Sequence, residues 1–411
     1  MTTVSDPMSR LAQASDATQV IERLLGATAS RGSGIEATVD DIGPHRVAPV
    51  LLEEILFRAC LEDLGSVPGH EASVTILLTH RGTNVLATTI SVGPSGVSSR
   101  PVDVVDASSA ASVSPLVSQE LWEVAFALYG PSALVTATTR RVWWPGPEVV
   151  FPTPERPSLP TVFYALAQRI VQVLDRREPN DLTELAVRYG TDKWGAMHQY
   201  PRQYERHFSP LRDRQLRILE IGIGGFNDPA EGGGSLRTWK RYFPRALVYG
   251  IDILDKSPVA APRLTTIRAD QSSEEDLLDV LKRLGPFDIV IDDGSHNPKH
   301  VLTSFHTIFP HLPADGLYVV EDLQACYWPE IFEGSDTDLN DPNYTVGFLK
   351  TLLDGLHHEE FLRPDARVPL ATDAHITGVH VYRNLAVIEK GPNVEGSMVA
   401  NLLRSERQGR Q

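Results

Sequence analysis

The C-terminal half of the chain contains a series of short apolar runs that each end in acidic residues. Between residues 216 and 322, the runs LRILEIG, LVYGIDI, LTTIRAD, FDIVIDD and GLYVVED alternate with helical patterns. Unbroken Val, Ile and Leu runs are typical of strands buried on both faces, as in a parallel sheet covered by helices. Such sheets bind ligands at the carboxyl ends of their strands. We therefore predict an α/β, Rossmann-like domain whose binding site is lined by acids.

The first strand runs into a glycine loop that departs from a dinucleotide-binding pattern. Gly222 and Gly224 fill two positions of the G-x-G-x-x-G fingerprint, but Asn227 replaces the third glycine. A pyrophosphate also needs a helix N-terminus directly beneath it, whereas here nine residues precede the helix that Ser235 is expected to cap. Glu220, just before the loop, disfavours a phosphate and favours a cation. S-adenosylmethionine, which has a sulfonium and an ammonium but no phosphate, fits these features.

Two further strand ends offer contacts for the rest of this cofactor. Asp252 ends the second strand, where its carboxylate can accept hydrogen bonds from both ribose hydroxyls. Asp270 and Gln271 follow the third strand and can bind the adenine edge. Any one of these acids can instead be a helix cap, but their occurrence at successive strand ends favours cofactor binding.

A second polar group follows the next two strands. Asp293 lies just past one strand, and Glu321 and Asp322 lie just past the other. Because neighbouring strands are about 4.8 Å apart, these three carboxylates can converge on a cation, and oxygen ligands without cysteine select Mg²⁺ before Ca²⁺ or Mn²⁺. His296 is the candidate general base, since histidines titrate at about pH 6.5; the alternative is a capping or surface histidine. The ion would lower the pKa of an acceptor hydroxyl.

The first 142 residues have a different pattern. The β-branched runs ASVTILLTH and NVLATTISVG flank the turn residues RGTN, which predicts a hairpin beside helical segments. Because no catalytic constellation is found in this segment, we predict an N-terminal α+β domain that acts in assembly.

The predicted domain limits follow from these patterns and from a proline-rich segment. Six prolines between residues 143 and 160 predict an extended linker; the alternative is a surface loop within one domain. The predicted parts are an auxiliary domain at 1–142, a linker at 143–160, the α/β domain at 161–392 and a polar tail at 393–411.

Composition excludes several classes of partner. The formal net charge of −15 weighs against nucleic acid, which needs a basic face. No run approaches the roughly 18 to 20 apolar residues of a membrane span, and the first residues lack a signal-peptide pattern. The chain has only two cysteines, Cys60 and Cys326, which makes a disulfide framework implausible. We therefore expect a cytoplasmic protein with no membrane or nucleic-acid partner.

Four segments carry a resemblance to a known family. TDKWGAMHQYPRQYERHF, LEIGIGGFNDPAEGGGSLRTWKRYFP, IDDGSH and VVEDLQACYWP resemble the metal-dependent sugar O-methyltransferases of bacterial natural-product pathways. This resemblance covers about residues 160 to 392. It implies methyl transfer from S-adenosylmethionine to a deoxysugar of a glycosylated macrolide or polyketide.

The resemblance also implies roles for individual residues. Mg²⁺ would bind at Asp293, Glu321 and Asp322, and His296 would be the base, with Asp293 also close to the methyl donor. The segment YGTDKWG would contribute Thr191 and Lys193 to the cofactor site, the lysine near the carboxylate of the methionine part; the alternative is an exposed turn. An N-terminal auxiliary domain and a homotetramer are implied as well.

Two other functions use similar residues. A phenol or catechol acceptor would suit the same metal site within methyl transfer. An NAD-dependent oxidoreductase would share the fold and Asp252, but the missing third glycine and Glu220 count against it.

Overall fold

The computed structural model describes residues 7–29, 32–64, 72–103, 114–131, 136–145, 161–177, 181–363, 365 and 367–408. The helices in these ranges are α1 (Pro7–Ala27), α2 (Ser33–Ile42), α3 (Pro44–Ala59), α4 (Leu121–Tyr129), α5 (Thr161–Leu174), α6 (Leu182–Tyr189), α7 (Pro201–Phe208), α8 (Gly234–Tyr242), α9 (Glu274–Leu284), α10 (Pro298–Ile308), α11 (Pro329–Phe332), α12 (Thr345–Leu356) and α13 (Met398–Gln408). The strands are β1 (Ala72–His80), β2 (Thr83–Gly93), β3 (Gly96–Pro101), β4 (Leu116–Glu120), β5 (Arg141–Trp143), β6 (Arg217–Ile221), β7 (Leu247–Asp252), β8 (Leu264–Arg268), β9 (Ile289–Asp292), β10 (Leu317–Glu321), β11 (Ile376–Tyr382) and β12 (Leu385–Lys390). Within these same ranges, no helix combines the length and the apolar character needed to cross a membrane.

A seven-stranded sheet in the order β11-β12-β10-β9-β6-β7-β8 forms the centre of the C-terminal domain. Strands β6 to β10 are parallel, while β12 runs antiparallel to both of its neighbours. The central strands are buried, which confirms the predicted α/β class. From β6 the chain builds β7 and β8 on one side and then returns to build β9 and β10 on the other. This reversal places the expected ligand crevice at the carboxyl ends of β6 and β9.

The N-terminal domain is built on a five-stranded mixed sheet in the order β3-β2-β1-β4-β5. The predicted hairpin is present as β1 and β2, which pair antiparallel through the two-residue turn Arg81-Gly82. Both turn residues have positive φ, 51° and 76°, as a type I′ turn requires. The domain also contains the helices α1 to α4, so it has the predicted α+β character.

Helix α5 packs on the N-terminal domain, which corrects the domain start predicted at residue 161. It lies against α3 and β1, and its buried residues Leu166, Ala167 and Ile170 join the core formed with those elements. The apolar spacing of this segment predicted an amphipathic helix but could not identify the surface it covers. The packing boundary therefore lies after Leu174.

The structure also changes the interpretation of the predicted linker. Residues 146–160 lie outside the described residues, but β5 on one side and α5 on the other both belong to the N-terminal domain. The proline-rich segment thus connects two elements of one domain, which was the alternative reading of its sequence. The predicted C-terminal tail contains a helix, α13, whose Arg404 Nε donates a hydrogen bond to the carbonyl of Phe361.

A buried ionic cluster joins the two domains. Glu54 on α3 is fully buried and accepts hydrogen bonds from Arg58 Nε (2.8 Å) and from Arg263, which immediately precedes β8. Lys240 on α8 lies 3.8 Å from the same carboxylate. Burial alone would raise the pKa of Glu54, but the charges of Arg263, Arg58 and Lys240 outweigh it and hold that pKa well below its usual range. The interface between the two domains thus contains charged groups that are buried from water.

Candidate active site

The glycine loop after β6 lies directly against the loop after β9. Gly222 has φ +91°, and a Cβ on it would lie 2.2 Å from the carbonyl oxygen of Asp293. Only glycine fits there, because both the backbone conformation and the close approach exclude a side chain. Gly224 also has positive φ (+73°), and the space beside it is open. The predicted loop is therefore placed at the topological reversal of the sheet, with room above it.

Glu220 is buried beneath this loop. Its Oε2 accepts hydrogen bonds from Ser235 Oγ (2.8 Å) and Trp239 Nε1 (3.0 Å), both on α8. Burial, followed by the charge of Asp293, raises the pKa of Glu220 to about 7, although the charge of Lys193 opposes this shift. Glu220 thus anchors α8 behind the loop.

Ser235 has a different role from the one predicted. Helix α8 begins at Gly234 after Gly233 and has no side-chain cap, and the Ser235 hydroxyl points at Glu220. A hydrogen bond from this hydroxyl to a buried carboxylate is stronger than the bond that the hydroxyl would accept from a backbone amide as a helix cap. The contact of Ser235 with a cofactor remains a prediction.

Lys193, which was expected near the methionine carboxylate of the cofactor or in an exposed turn, is buried among acidic residues. It is 2% exposed, and its Nζ lies 2.6 Å from Glu321 Oε1, 2.8 Å from Asp293 Oδ2 and 3.2 Å from Glu220 Oε1. Burial alone would lower the pKa of Lys193, but the charges of Asp293, Glu321 and Glu220 raise it well above its usual value. The lysine is therefore a permanent cation among three acids. Thr191 Oγ1 accepts a bond from the Lys193 amide at 3.4 Å.

His296 lies where the loops after β9 and β10 meet. Its Nε2 is 3.4 Å from Oδ2 of Asp322, and together with Asp293 the two residues form a group whose possible ligand atoms all lie within 4.8 Å of one another. His296 and Asp322 both have left-handed backbone, with φ of 55° and 53°. Such strained conformations in non-glycine residues persist only where the surroundings enforce them, commonly at functional sites.

The four predicted metal and base residues therefore form two adjoining groups that share Asp293. One contains His296 and Asp322, and the other contains Glu321 with Glu220. In the second group, Lys193 Nζ and Tyr204 both donate to Oε1 of Glu321, and Oε2 accepts no hydrogen bond from the described residues. The donor set fits Mg²⁺, since carboxylate oxygens from Asp293, Asp322 and Glu321 Oε2 are available and the acids outnumber the cation Lys193.

Three residues that the sequence reasoning left without a role support these acids. Tyr200 donates a hydrogen bond to Asp322 Oδ1 at 2.7 Å, Tyr204 donates to Glu321, and His198 Nδ1 lies 3.4 Å from Asp322 Oδ1. All three lie in the segment TDKWGAMHQYPRQYERHF that carried the family resemblance. The signal was present as a motif, but only the folded chain shows that it packs on the ends of β10. His198 and Tyr200 also line a cavity of about 970 Å³.

The predicted ribose and adenine contacts lie along the same edge of the sheet. Asp252 ends β7, and its two oxygens accept bonds from the amides of Ile223 (3.1 Å) and Leu254 (2.9 Å). Each oxygen keeps a further lone pair for a ribose hydroxyl. Asp270 Oδ1 accepts bonds from the amide and hydroxyl of Ser272, which lower the pKa of Asp270.

Gln271 differs from the other predicted cofactor residues. Its Nε2 donates to Asp292 Oδ1 (2.6 Å) and its Oε1 accepts from the Ser295 amide (2.9 Å). Both ends of this buried amide are thus used to hold the loop that carries His296. The structure gives its side chain a supporting role, because a buried amide bonded at both ends cannot also read a base edge without breaking those bonds.

An apolar surface borders His296. The Phe332 ring on α11 contacts the His296 ring edge-on at 5.8 Å between centroids. Tyr327, Trp328 and Ile331, which lie on α11 or just before it, are exposed. Exposed apolar side chains that cluster beside polar groups are typical of a ligand site.

Known methyltransferases are similar to this chain in sequence. Residues 21–140 match the family described as MycE methyltransferase N-terminal. The chain is 42% identical over 385 residues to the 8-demethyl-8-alpha-L-rhamnosyl tetracenomycin-C 2'-O-methyltransferase of Streptomyces olivaceus, covering 92% of this chain and 96% of the relative. It is 48% identical over 222 residues to the Mycinamicin VI 2''-O-methyltransferase of Micromonospora griseorubida, covering 54% and 55%.

A solved structure is similar over the whole fold. The MycE methyltransferase in complex with Mg, SAH and Mycinamycin VI superposes with a TM-score of 0.80 at 33% identity, covering 94% of this chain and 99% of that one. An NAD-dependent oxidoreductase is thereby ruled out. The chain belongs to the family of sugar O-methyltransferases of macrolide and polyketide pathways.

Proposed function

We propose that this enzyme transfers the methyl group of S-adenosylmethionine, with Mg²⁺ bound, to a deoxysugar hydroxyl of a glycosylated macrolide or polyketide. The observation that supports this most is the position of His296 beside Asp322 and Asp293, next to the Gly222 loop. The candidate base, two candidate metal ligands and the glycine loop thus lie next to one another, which supports this chemistry. The family relatives with named sugar acceptors support the substrate class.

The cofactor would lie over the glycine loop. The open space beside Gly224 would receive its methionine part, and Asp252 would accept hydrogen bonds from its ribose. Lys193 holds its charge toward Asp293, Glu321 and Glu220, so we propose that it positions these acids rather than binding the methionine carboxylate directly.

The reaction requires a proton acceptor for the sugar hydroxyl. We assign this role to His296, whose ring is held between Asp322 and Phe332. Asp293, Asp322 and Glu321 would hold Mg²⁺, and the bound ion supplies positive charge that lowers the pKa of the acceptor hydroxyl. His296 takes the proton, the sugar oxygen attacks the methyl carbon, and the carbon–sulfur bond breaks to leave a neutral thioether. Asp322 stabilises the imidazolium that results.

The acceptor's aglycone would contact the apolar surface formed by Tyr327, Trp328 and Ile331. Macrolide and polyketide aglycones are large and mostly apolar, and they gain free energy by covering such side chains. A phenol or catechol would reach the same metal but would leave most of this surface exposed. The surface therefore favours the glycoside.

The N-terminal domain would act in assembly, and we propose the homotetramer that the family resemblance implies. Light scattering of the purified protein during size-exclusion chromatography measures this directly. The two buried cysteines, Cys60 and Cys326, are both free, so we propose a reducing compartment, the cytoplasm.

The test of the activity is a panel of acceptors with S-adenosylmethionine and Mg²⁺. The panel contains rhamnosylated tetracenomycins, glycosylated macrolides, their aglycones and simple catechols. We expect mass spectrometry to detect one added methyl group on glycosides alone, and NMR to place it on the sugar. Methylation of catechols or aglycones without methylation of any glycoside would contradict the proposal.

A further inference from the structure

A second cluster of metal-ligating side chains lies outside the active site, where the end of α7 meets β11 and β12. It consists of His207, His380 and Glu389. His380 Nε2 is 2.9 Å from Glu389 Oε1, and His207 Nδ1 is 3.8 Å from the same oxygen. One ligand atom from each residue lies within 4.8 Å of the other two. Neither the cofactor loop nor the acids around His296 contribute to it.

The spacing of these atoms suits a small divalent ion. A tetrahedral Zn²⁺ with bonds of about 2.0–2.2 Å holds its ligand atoms roughly 3.3–3.6 Å apart. The observed distances of 2.9 and 3.8 Å bracket this range, so small side-chain rotations suffice. His380 and Glu389 are 40% and 38% exposed, which gives an ion a path from solvent.

The sheet leaves space beside the ligand atoms. Gly378 lies opposite Glu389 in the antiparallel pair β11–β12, and His380 lies two residues further along the same face. A Cβ on Gly378 would lie 2.8 Å from Glu389 Oε2 and 3.0 Å from His380 Nε2. A glycine at this position therefore keeps open the volume next to both ligands.

A neighbouring hydroxyl holds the ring of His207 in place. Tyr382 contributes a hydroxyl 3.0 Å from His207 Nε2, which orients the ring so that Nδ1 faces the carboxylate. Oriented histidines bind metal more tightly.

We propose that His207, His380 and Glu389 form a zinc-binding site that is separate from the magnesium site. Two imidazoles and one carboxylate are a common Zn²⁺ ligand set, with water in the fourth position. The ion would tie α7 to β11 and β12. Since α7 carries Tyr204 and begins next to Tyr200, it would also fix the helix whose tyrosines hold Glu321 and Asp322.

The test measures Zn²⁺ binding to the untagged enzyme with Mg²⁺ in excess, by calorimetry and by elemental analysis after dialysis. We expect one tight zinc per chain and a higher melting temperature with zinc present. His380→Gln and His207→Gln should lose this site. Gly378→Ala should weaken it by roughly 10- to 100-fold, the usual effect of disturbing groups that orient ligands, because the methyl group displaces the Glu389 carboxylate.

Two controls separate this site from other zinc ligands. His375→Gln removes an exposed histidine just before β11, and Asp322→Asn disables the other histidine-containing group. Both variants should keep the tight zinc. Loss of zinc in Asp322→Asn with retention in His380→Gln, or absence of tight zinc from the parent enzyme, would overturn the proposal.

Discussion

Lys193 and Glu321 form a buried ion pair in which the lysine Nζ lies 2.6 Å from Oε1 of the carboxylate. The two residues are 128 positions apart in the sequence. The same ammonium also contacts Asp293 and Glu220, so one cation balances three acids. Asp322 lies outside this contact, and the edge of the sheet keeps an excess of negative charge for a metal ion.

Replacing Lys193 should lower the stability of the folded protein. We expect Lys193→Met to lower the free energy of unfolding by about 3–5 kcal/mol in the presence of a chelator, since buried carboxylates lose their partner. Mg²⁺ should restore part of this loss, because it supplies the missing charge. Urea unfolding with and without Mg²⁺ measures both effects.

The matched control for this change is Lys299→Met. Lys299 is 78% exposed and pairs with the exposed Glu333 at 3.3 Å, so its loss should change stability by less than about 1 kcal/mol. Equal stability of Lys193→Met and Lys299→Met would show that the buried lysine does not balance the acids.

His296 should be needed for catalysis rather than for binding. We expect His296→Ala to slow methyl transfer by roughly 10²–10⁴-fold, the usual contribution of a general base, while cofactor affinity stays unchanged. Its residual rate should rise with pH as hydroxide replaces the base. Steady-state kinetics and calorimetry with S-adenosylmethionine measure these effects, and near-parental turnover at pH 7 would place the base elsewhere.

The metal site should fail in a different way. Removal of Mg²⁺ by a chelator, or Asp322→Asn, should abolish turnover and leave cofactor binding largely intact, because the ion meets the acceptor rather than the cofactor. Added Mg²⁺ should reverse the chelator but not the mutation. Glu330→Gln, an exposed acid on α11, serves as control and should behave like the parent; strong loss of cofactor binding in Asp322→Asn would contradict the assignment.

Asp252 should contribute to cofactor affinity alone. We expect Asp252→Ala to weaken S-adenosylmethionine binding by about 1–3 kcal/mol, because the ribose hydroxyls lose a charged acceptor. Calorimetry measures the change, with Glu275→Gln on the exposed face of α9 as control. Parental affinity in a folded Asp252→Ala protein would show that Asp252 does not bind the ribose of the cofactor.

The cluster between the domains gives a prediction for stability. Glu54→Gln should lower the free energy of unfolding at pH 7 by about 3–5 kcal/mol, because Arg263, Arg58 and Lys240 stay buried without their counter-charge. Glu62→Gln changes an exposed acid just after α3 and should have little effect. Unfolding curves of the two variants make the comparison, and similar stabilities would show that Glu54 is dispensable.

The contribution of Glu54 to the stability of the folded protein should depend on pH in a defined direction. The pKa of Glu54 is held well below the ordinary value of 4.5 in the folded state. The native state therefore gains stability from this group above pH 4.5 and loses it as the pH falls below 4.5. The parent enzyme should lose more stability on acidification than Glu54→Gln, which has no carboxylate to protonate.

The sequence predicted those parts of the structure that depend on local pattern. Asp181 and Gly190 cap α6, as Asp and Gly commonly do at the start and end of helices, and the acids follow the strands at the expected edge. The burial of Lys193 could not be predicted, because all its partners lie distant in sequence and its neighbours are exposed. The same limit applies to Ser235 and Gln271, whose side chains bond to acids on other elements.

The surface that α5 covers has a consequence for dividing the enzyme. Because β5 and α5 lie on the same domain, a cut between residues 146 and 160 would yield two chains that share one hydrophobic core rather than two separable domains. Neither piece would be complete, since the first would expose the α3 and β1 surface that α5 buries. Produced separately, the two pieces should recover methyl transfer on mixing, which makes this segment the place to build a complementation reporter.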